Sequence, residues 1–175
     1  MSVILFALRI IALAGACFVA AANAQTVVLV RHAEKAESPK DDPPLAEAGQ
    51  RRADALAVAL KGANVAAILT SQARRTRDTA APLATQARIT PRVLTIARGG
   101  MAEHVAEVVK LARERKDGVV VIVGHSNTVP AIARALGADV ADMSECEYSR
   151  FITVLSGPPA QAITTRYGAP DGGCL

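Results

Sequence analysis

Val27-Val28-Leu29-Val30-Arg31-His32-Ala33-Glu34 is the stretch on which the fold turns. Its first four residues are apolar and mostly β-branched, with no polar break, as in a strand buried on both faces. The run then ends abruptly on a guanidinium, an imidazole and a carboxylate. In open α/β sheets ligands bind just beyond the carboxyl ends of the strands. Arg31 and His32 therefore fall where a ligand would sit.

Upstream, residues 4–24 are apolar or small, with Arg9 the one charge, and they close on Ala22-Asn23-Ala24. A short apolar core followed by a small-x-small site suits a secretory signal peptide cut after Ala24. The core is short for a transmembrane helix, although an uncleaved anchor is the alternative. Cys17 follows Ala14-Gly15-Ala16, without the large aliphatic residue that would favour a lipid-anchored cysteine. The expectation is a signal peptide over 1–24, one domain over 25–175, a periplasmic or secreted location, and no stable membrane insertion after cleavage. In an oxidising compartment Cys146 and Cys174 can bridge. One buried thiol and one frayed end is the other reading.

Downstream, a polar loop with prolines at 39, 43 and 44 leads into apolar residues at helical spacing from Ala46 to Leu60, stopped by Gly62. Strands are predicted at Val65–Leu69, Val93–Ile96, Gly118–Gly124, Tyr148–Leu155 and Gln161–Tyr167. Helices are predicted at Arg75–Ala87, Met101–Arg115 and Val129–Leu136. Strands alternating with helices predict a three-layer α/β/α sandwich around a mostly parallel central sheet.

Composition narrows the ligand. The chain of 175 residues carries a formal charge of +4, yet aromatics are only 3% and tryptophan is absent. Stacking platforms for bases are scarce, so nucleic acid is not the expected partner. The basic residues instead gather at strand ends, as a small anionic ligand would require. The second strand runs into Thr70-Ser71 and then Arg74-Arg75, and the fourth into Gly124-His125-Ser126-Asn127. Arginine offers a permanently charged fork matched to phosphate oxygens. A helix opening after Asn127 adds N–H donors. Neighbouring guanidinium charges disfavour imidazolium and keep the histidines neutral. A neutral imidazole can attack phosphorus when its other nitrogen is held by a carbonyl. A second histidine can then donate to the phosphoryl oxygens.

Taken together these segments resemble the histidine phosphatase superfamily, branch 1, the group of phosphoglycerate mutase-like phosphatases. The family's Arg-His-Gly opening stands here as Arg31-His32-Ala33, followed by Glu34. Its Leu-Thr-x-x-Gly segment stands as Leu45-Ala46-Glu47-Ala48-Gly49. Its Ser-x-x-x-Arg-x-x-x-Thr-Ala segment runs from Ser71 through Arg75 to Thr79-Ala80, and its second Gly-His is Gly124-His125. The resemblance implies a phosphoglycerate mutase-like sandwich in a small uncapped form. It also implies a phosphohistidine at His32, with Arg31, Arg75 and His125 completing the phosphate pocket. Arg75 is preferred to Arg74 because it lies four residues before Thr79. Ser126 and Glu34 are further candidates for substrate binding.

Departures are informative too. Ala33 and Ala46 replace the usual glycine and threonine, and Ser38 stands where mutase-like members often carry asparagine. No long insertion caps the pocket between the second helix and the third strand. An open pocket favours phosphatase action on an exposed or bulky phosphoester over sugar-phosphate mutation. The expected partner is a phosphorylated small molecule or an envelope phosphoester, with no cofactor. Three histidines without paired-ligand spacing give no metal signature. The proton donor is the least defined part: Glu103, after Gly99-Gly100, is the candidate acid, against an ordinary first-turn glutamate. His104 is expected to be an exposed or half-buried helix residue. Two alternatives stay open, a non-catalytic phospholigand-binding module and a phosphohistidine phosphatase.

Overall fold

A computed structural model describes residues 25–172. The expected signal peptide and Cys174 lie outside the described residues. In chain order the elements are β1 (Thr26–Arg31), α1 (Glu47–Ala59), β2 (Val65–Ser71), α2 (Arg74–Ala87), β3 (Arg92–Leu94), α3 (Met101–Glu114), β4 (Val119–Gly124), α4 (Thr128–Ala135), β5 (Arg150–Leu155) and β6 (Gln161–Arg166). The strands form one six-stranded sheet in the order β3-β2-β4-β1-β5-β6. From β3 to β1 every pairing is parallel, while β5 and β6 are antiparallel additions. Among the described residues no helix is long and apolar enough to cross a membrane.

The continuous apolar runs are explained by cover on both faces. Val27 and Leu29 of β1 join Val108, Ala112 and Ile132 of α3 and α4 in one cluster. Val28 and Val30 point the other way, into a cluster with Leu56 of α1 and Leu83 of α2. β4 repeats the pattern, with Val120 and Ile122 on the first face and Val121 and Val123 on the second. Full burial of such a side chain is worth about 1.5–3 kcal/mol.

Boundaries differ from the sequence reading where a side chain captures backbone groups. The third strand, expected at Val93–Ile96, is shorter: Gln72 takes both the N–H and the carbonyl of Ile96, drawing that residue out of the ladder. The fifth starts at Arg150 instead of Tyr148, because the N–H groups of Tyr148 and Ser149 both donate to Asp171. Gly49 has a direct steric reason. A Cβ there would stand 2.1 Å from the Glu34 carbonyl oxygen, so only glycine lets α1 approach the segment after β1 so closely.

Candidate active site

β1 and β4 run in parallel with Arg31 level with Gly124, so His32 and His125 leave the sheet side by side. Their ring centroids are 5.4 Å apart, with the planes at 66°. The His32 backbone N–H donates to the Gly124 carbonyl at 2.9 Å, tying the two strand ends together. Within the ring, Nδ1–H donates to the Ala33 carbonyl at 2.8 Å, which leaves Nε2 as the lone-pair nitrogen. His32 is only 4% exposed. Burial lowers its pKa to about 3, opposed by the Ala33 bond and reinforced by the charges of Arg31, His125 and Arg75. The sequence argument credited the arginines; desolvation is the larger cause.

Thr79 explains why the α2 segment has its spacing. Its hydroxyl donates to the Arg75 carbonyl at 2.7 Å and accepts the Ala33 N–H at 2.9 Å. One turn of helix thus fixes the loop that follows His32 and places Arg75 beside it. The Arg75 Nη2 meets His125 Nδ1 at 3.4 Å, while His125 Nε2 lies 2.9 Å from the Ser71 hydroxyl. Since guanidinium can only donate, His125 carries its proton on Nε2. Burial, and then the charge of Arg75, lower the His125 pKa to about 4.

Arg31 is held from the other side of the sheet. Its Nη1 donates to the Ser144 carbonyl at 3.1 Å and also to the Glu145 carbonyl; its Nη2 donates to the Glu145 carboxylate at 2.8 Å. Its Cζ lies 4.3 Å from the centroid of the Tyr148 ring. The Ser126 hydroxyl donates to the other Glu145 oxygen. That bond and the Arg31 charge hold Glu145 below the usual carboxylate range, although burial works against them. These groups line an open cavity of about 690 Å³. Two buried guanidinium nitrogens have no partner, Nε of Arg31 and Nε of Arg75. Buried donors are normally satisfied, and both belong to side chains that line this cavity.

Residues 27–98 match the family profile of the histidine phosphatase superfamily (branch 1). Over that stretch the chain is similar to members of that superfamily. Solved structures share its fold. A mycobacterial glucosyl-3-phosphoglycerate phosphatase in complex with VO3 superposes with a TM-score of 0.65 at 19% identity, covering 84% of this chain and 100% of that one. The protein histidine phosphatase SixA complexed with tungstate gives 0.62 at 18% identity, covering 83% and 97%. SixA of Nakamurella multipartitia gives 0.56 at 27% identity, covering 84% and 96%. No curated protein matches the sequence.

In this fold Arg31, His32, Arg75, His125 and Ser126 all line one cavity. Arg74 instead faces Asp78 on the outer side of α2. Two other candidates stand elsewhere. Glu34 is a half-buried anchor, its carboxylate gripped by Arg52 through Nε at 3.0 Å and Nη2 at 2.6 Å. It does not line the cavity, so a substrate-binding role is replaced by a structural one. Glu103 is exposed in the first turn of α3 and is likewise absent from the cavity wall. The carboxylate that does line it is Glu145. His104, expected to be at least half-exposed, is 5% exposed with its Nδ1 unpartnered, and burial lowers its pKa. Among the described residues no group of three potential ligands is arranged to hold a metal ion.

Proposed function

We propose that this chain is an exported phosphomonoesterase that works through a covalent phosphohistidine on His32 without a metal ion. The observation that carries the reading is the paired one at His32. Its Nδ1 proton is spent on the Ala33 carbonyl, and two arginines with unpartnered Nε–H groups stand in the same cavity. In this reading Nε2 of His32 attacks phosphorus and the bond to the leaving oxygen breaks. The alcohol departs with a proton drawn from water at the open mouth. Water then attacks the phosphohistidine, inorganic phosphate leaves, and the neutral imidazole returns. Arg31 and Arg75 neutralise the equatorial oxygens throughout. The Arg75–His125 contact is long for a hydrogen bond and yields readily to a phosphate oxygen. Ser71 can donate as well as accept, so once Arg75 lets go of Nδ1 the His125 proton can pass to that nitrogen and be donated to the transferring group.

The test is hydrolysis of p-nitrophenyl phosphate by the purified protein, with EDTA and vanadate as controls. Turnover that survives EDTA, is blocked by vanadate and vanishes in His32→Ala is the expected result. Tight binding of phosphate with no turnover would identify a phospholigand-binding module instead. Export is checked by N-terminal sequencing, which should begin at Gln25.

One observation favours a second reading, a phosphohistidine phosphatase. Glu145 is the sole carboxylate among the described residues lining the cavity, and its lowered pKa keeps it from donating a proton. A phosphoramidate, whose leaving imidazole carries its own titratable nitrogen, needs no such donor. Turnover of phosphohistidine far above that of alkyl phosphates would select this reading.

A further inference from the structure

The cavity holds more positive charge than a phosphoryl group can use. Arg31, Arg75, Lys35 and Lys40 all line it, against the single carboxylate of Glu145. Glu145 is already matched by Arg31 and Ser126, and the histidines are neutral at pH 7 because burial lowers both pKa values. Counting Glu145, the wall bears a net charge of about +3, which a phosphomonoester dianion reduces to about +1. The surplus sits on Lys35 and Lys40, which are exposed and have no ion pair among the described residues.

These lysines are not on a free tail. Lys35 bridges to Leu45, and the Ala36 N–H donates to the Pro44 carbonyl at 2.9 Å, closing the base of the 35–45 arm. Glu34, just before it, is clamped by Arg52. Near the tip, Asp42 accepts the Arg74 N–H at 2.6 Å and faces Arg77 at 3.9 Å. The arm is thus pinned at both ends, with Lys40 between the pins. Its own acidic residues, Glu37, Asp41 and Asp42, are not part of the cavity wall.

We propose that the cavity selects phosphomonoesters whose leaving portion carries a second anionic group, seated against Lys35 and Lys40. This rests on the phosphomonoesterase reading and adds the substrate class. The second anion can be a carboxylate or another phosphate, so the test uses a matched pair for each. N-acetyl-O-phosphoserine is compared with its C-terminal amide, and glucose 1,6-bisphosphate with glucose 6-phosphate.

The expected result is a preference in kcat/KM of about fivefold or more for the charged member of at least one pair, at the upper range for exposed ion pairs. The preference should be carried by KM and should shrink in 0.5 M NaCl, because screening acts on exposed charges. The double variant Lys35→Ala/Lys40→Ala should bring the ratio near one, and Lys40→Glu should invert it. Lys61→Ala, far from the cavity, should keep it, and a melting curve on each variant checks folding. Equal kcat/KM within both pairs, or a preference that survives the double variant, overturns the proposal. p-Nitrophenyl phosphate separates the two readings. Its turnover with no charge preference removes the anionic subsite alone, whereas absence of its turnover, or its persistence in His32→Ala, removes the phosphomonoesterase reading as well.

Discussion

Arg52 and Arg75 are both arginines folded into the body of the protein, and they differ in what they lack. Arg52 lacks nothing. Its Nε and Nη2 meet Glu34, its Nη1 donates to the Tyr167 and Ala169 carbonyls at 3.0 and 2.9 Å, and Asp171 lies 3.8 Å away. Arg75 makes one long contact to His125 and keeps a buried Nε–H with no partner. The saturated arginine is a staple that joins the segment after β1 to the C-terminal region. The unsaturated one lines the cavity beside His32 and His125. Around this cavity, unmet hydrogen-bonding capacity separates the two arginines more sharply than charge or burial does.

The hardest way to break that contrast is at the nucleophile. His32→Ala should lower kcat by about 10⁴-fold or more, and base-quenched labelling with a phosphorylated substrate should lose its protein-bound phosphate. Next is Arg52→Ala, which leaves Glu34 partly buried without its partner. A loss of about 3–5 kcal/mol of stability is expected, read from denaturant midpoints, with kcat of the folded fraction retained. Arg75→Ala should do the reverse, lowering kcat/KM by about 10²–10³-fold while the melting temperature holds, and Arg74→Ala should stay within about twofold.

The histidines sharpen the comparison through pH. His32 and His125 titrate near 6.5 when unfolded but at about 3 and about 4 in the fold. Below pH 6.5 the unfolded chain binds protons that the native chain refuses. Stability should therefore be full above pH 6.5 and fall as pH drops toward 4, by roughly 1 kcal/mol per histidine per unit. Urea titrations from pH 8 to 4 measure this, and His125→Asn should flatten the slope. The smallest effect is expected at Glu103. With Glu103 outside the cavity wall, Glu103→Gln should change the ratio of alkyl to p-nitrophenyl phosphate turnover by less than about twofold. A selective loss on alkyl phosphates would restore it as the acid.

The parallel half of the sheet was readable because its signals are local. β1 and β4 announce themselves as unbroken apolar runs, and the residues that follow them carry the site. Arg75 was separable from Arg74 by its distance from Thr79, and the Thr79 hydroxyl now supplies the reason. Glu145 escaped because ligand sites were sought only at the carboxyl ends of strands. β5 is antiparallel to β1, so the approach to its amino end arrives at that same edge and brings Ser144 and Glu145 with it. Nothing in the local pattern of Ser144-Glu145-Cys146 signals that pairing direction. Cys146 is disulfide-bonded, and its expected partner Cys174 is outside the described residues. Glu34 is a candidate by its place after Arg31-His32-Ala33 and Glu103 by its place after the Gly99-Gly100 turn, and neither position says anything about Arg52 or about which way the first turn of α3 faces.

The position of β1 has a consequence for when the protein comes alive. A ribosome makes this strand early, yet its two neighbours in the sheet are β4 and β5, made near the end. Arg31 meets its carboxylate partner only after another 114 residues have been added. A nascent chain that stops short of β4 has His32 but neither the strand beside it nor the clamp on Arg31. Such long-range pairing slows folding. It also means that the groups around His32 come together only when the last third of the chain is present, and truncation anywhere before Glu145 should yield a silent polypeptide.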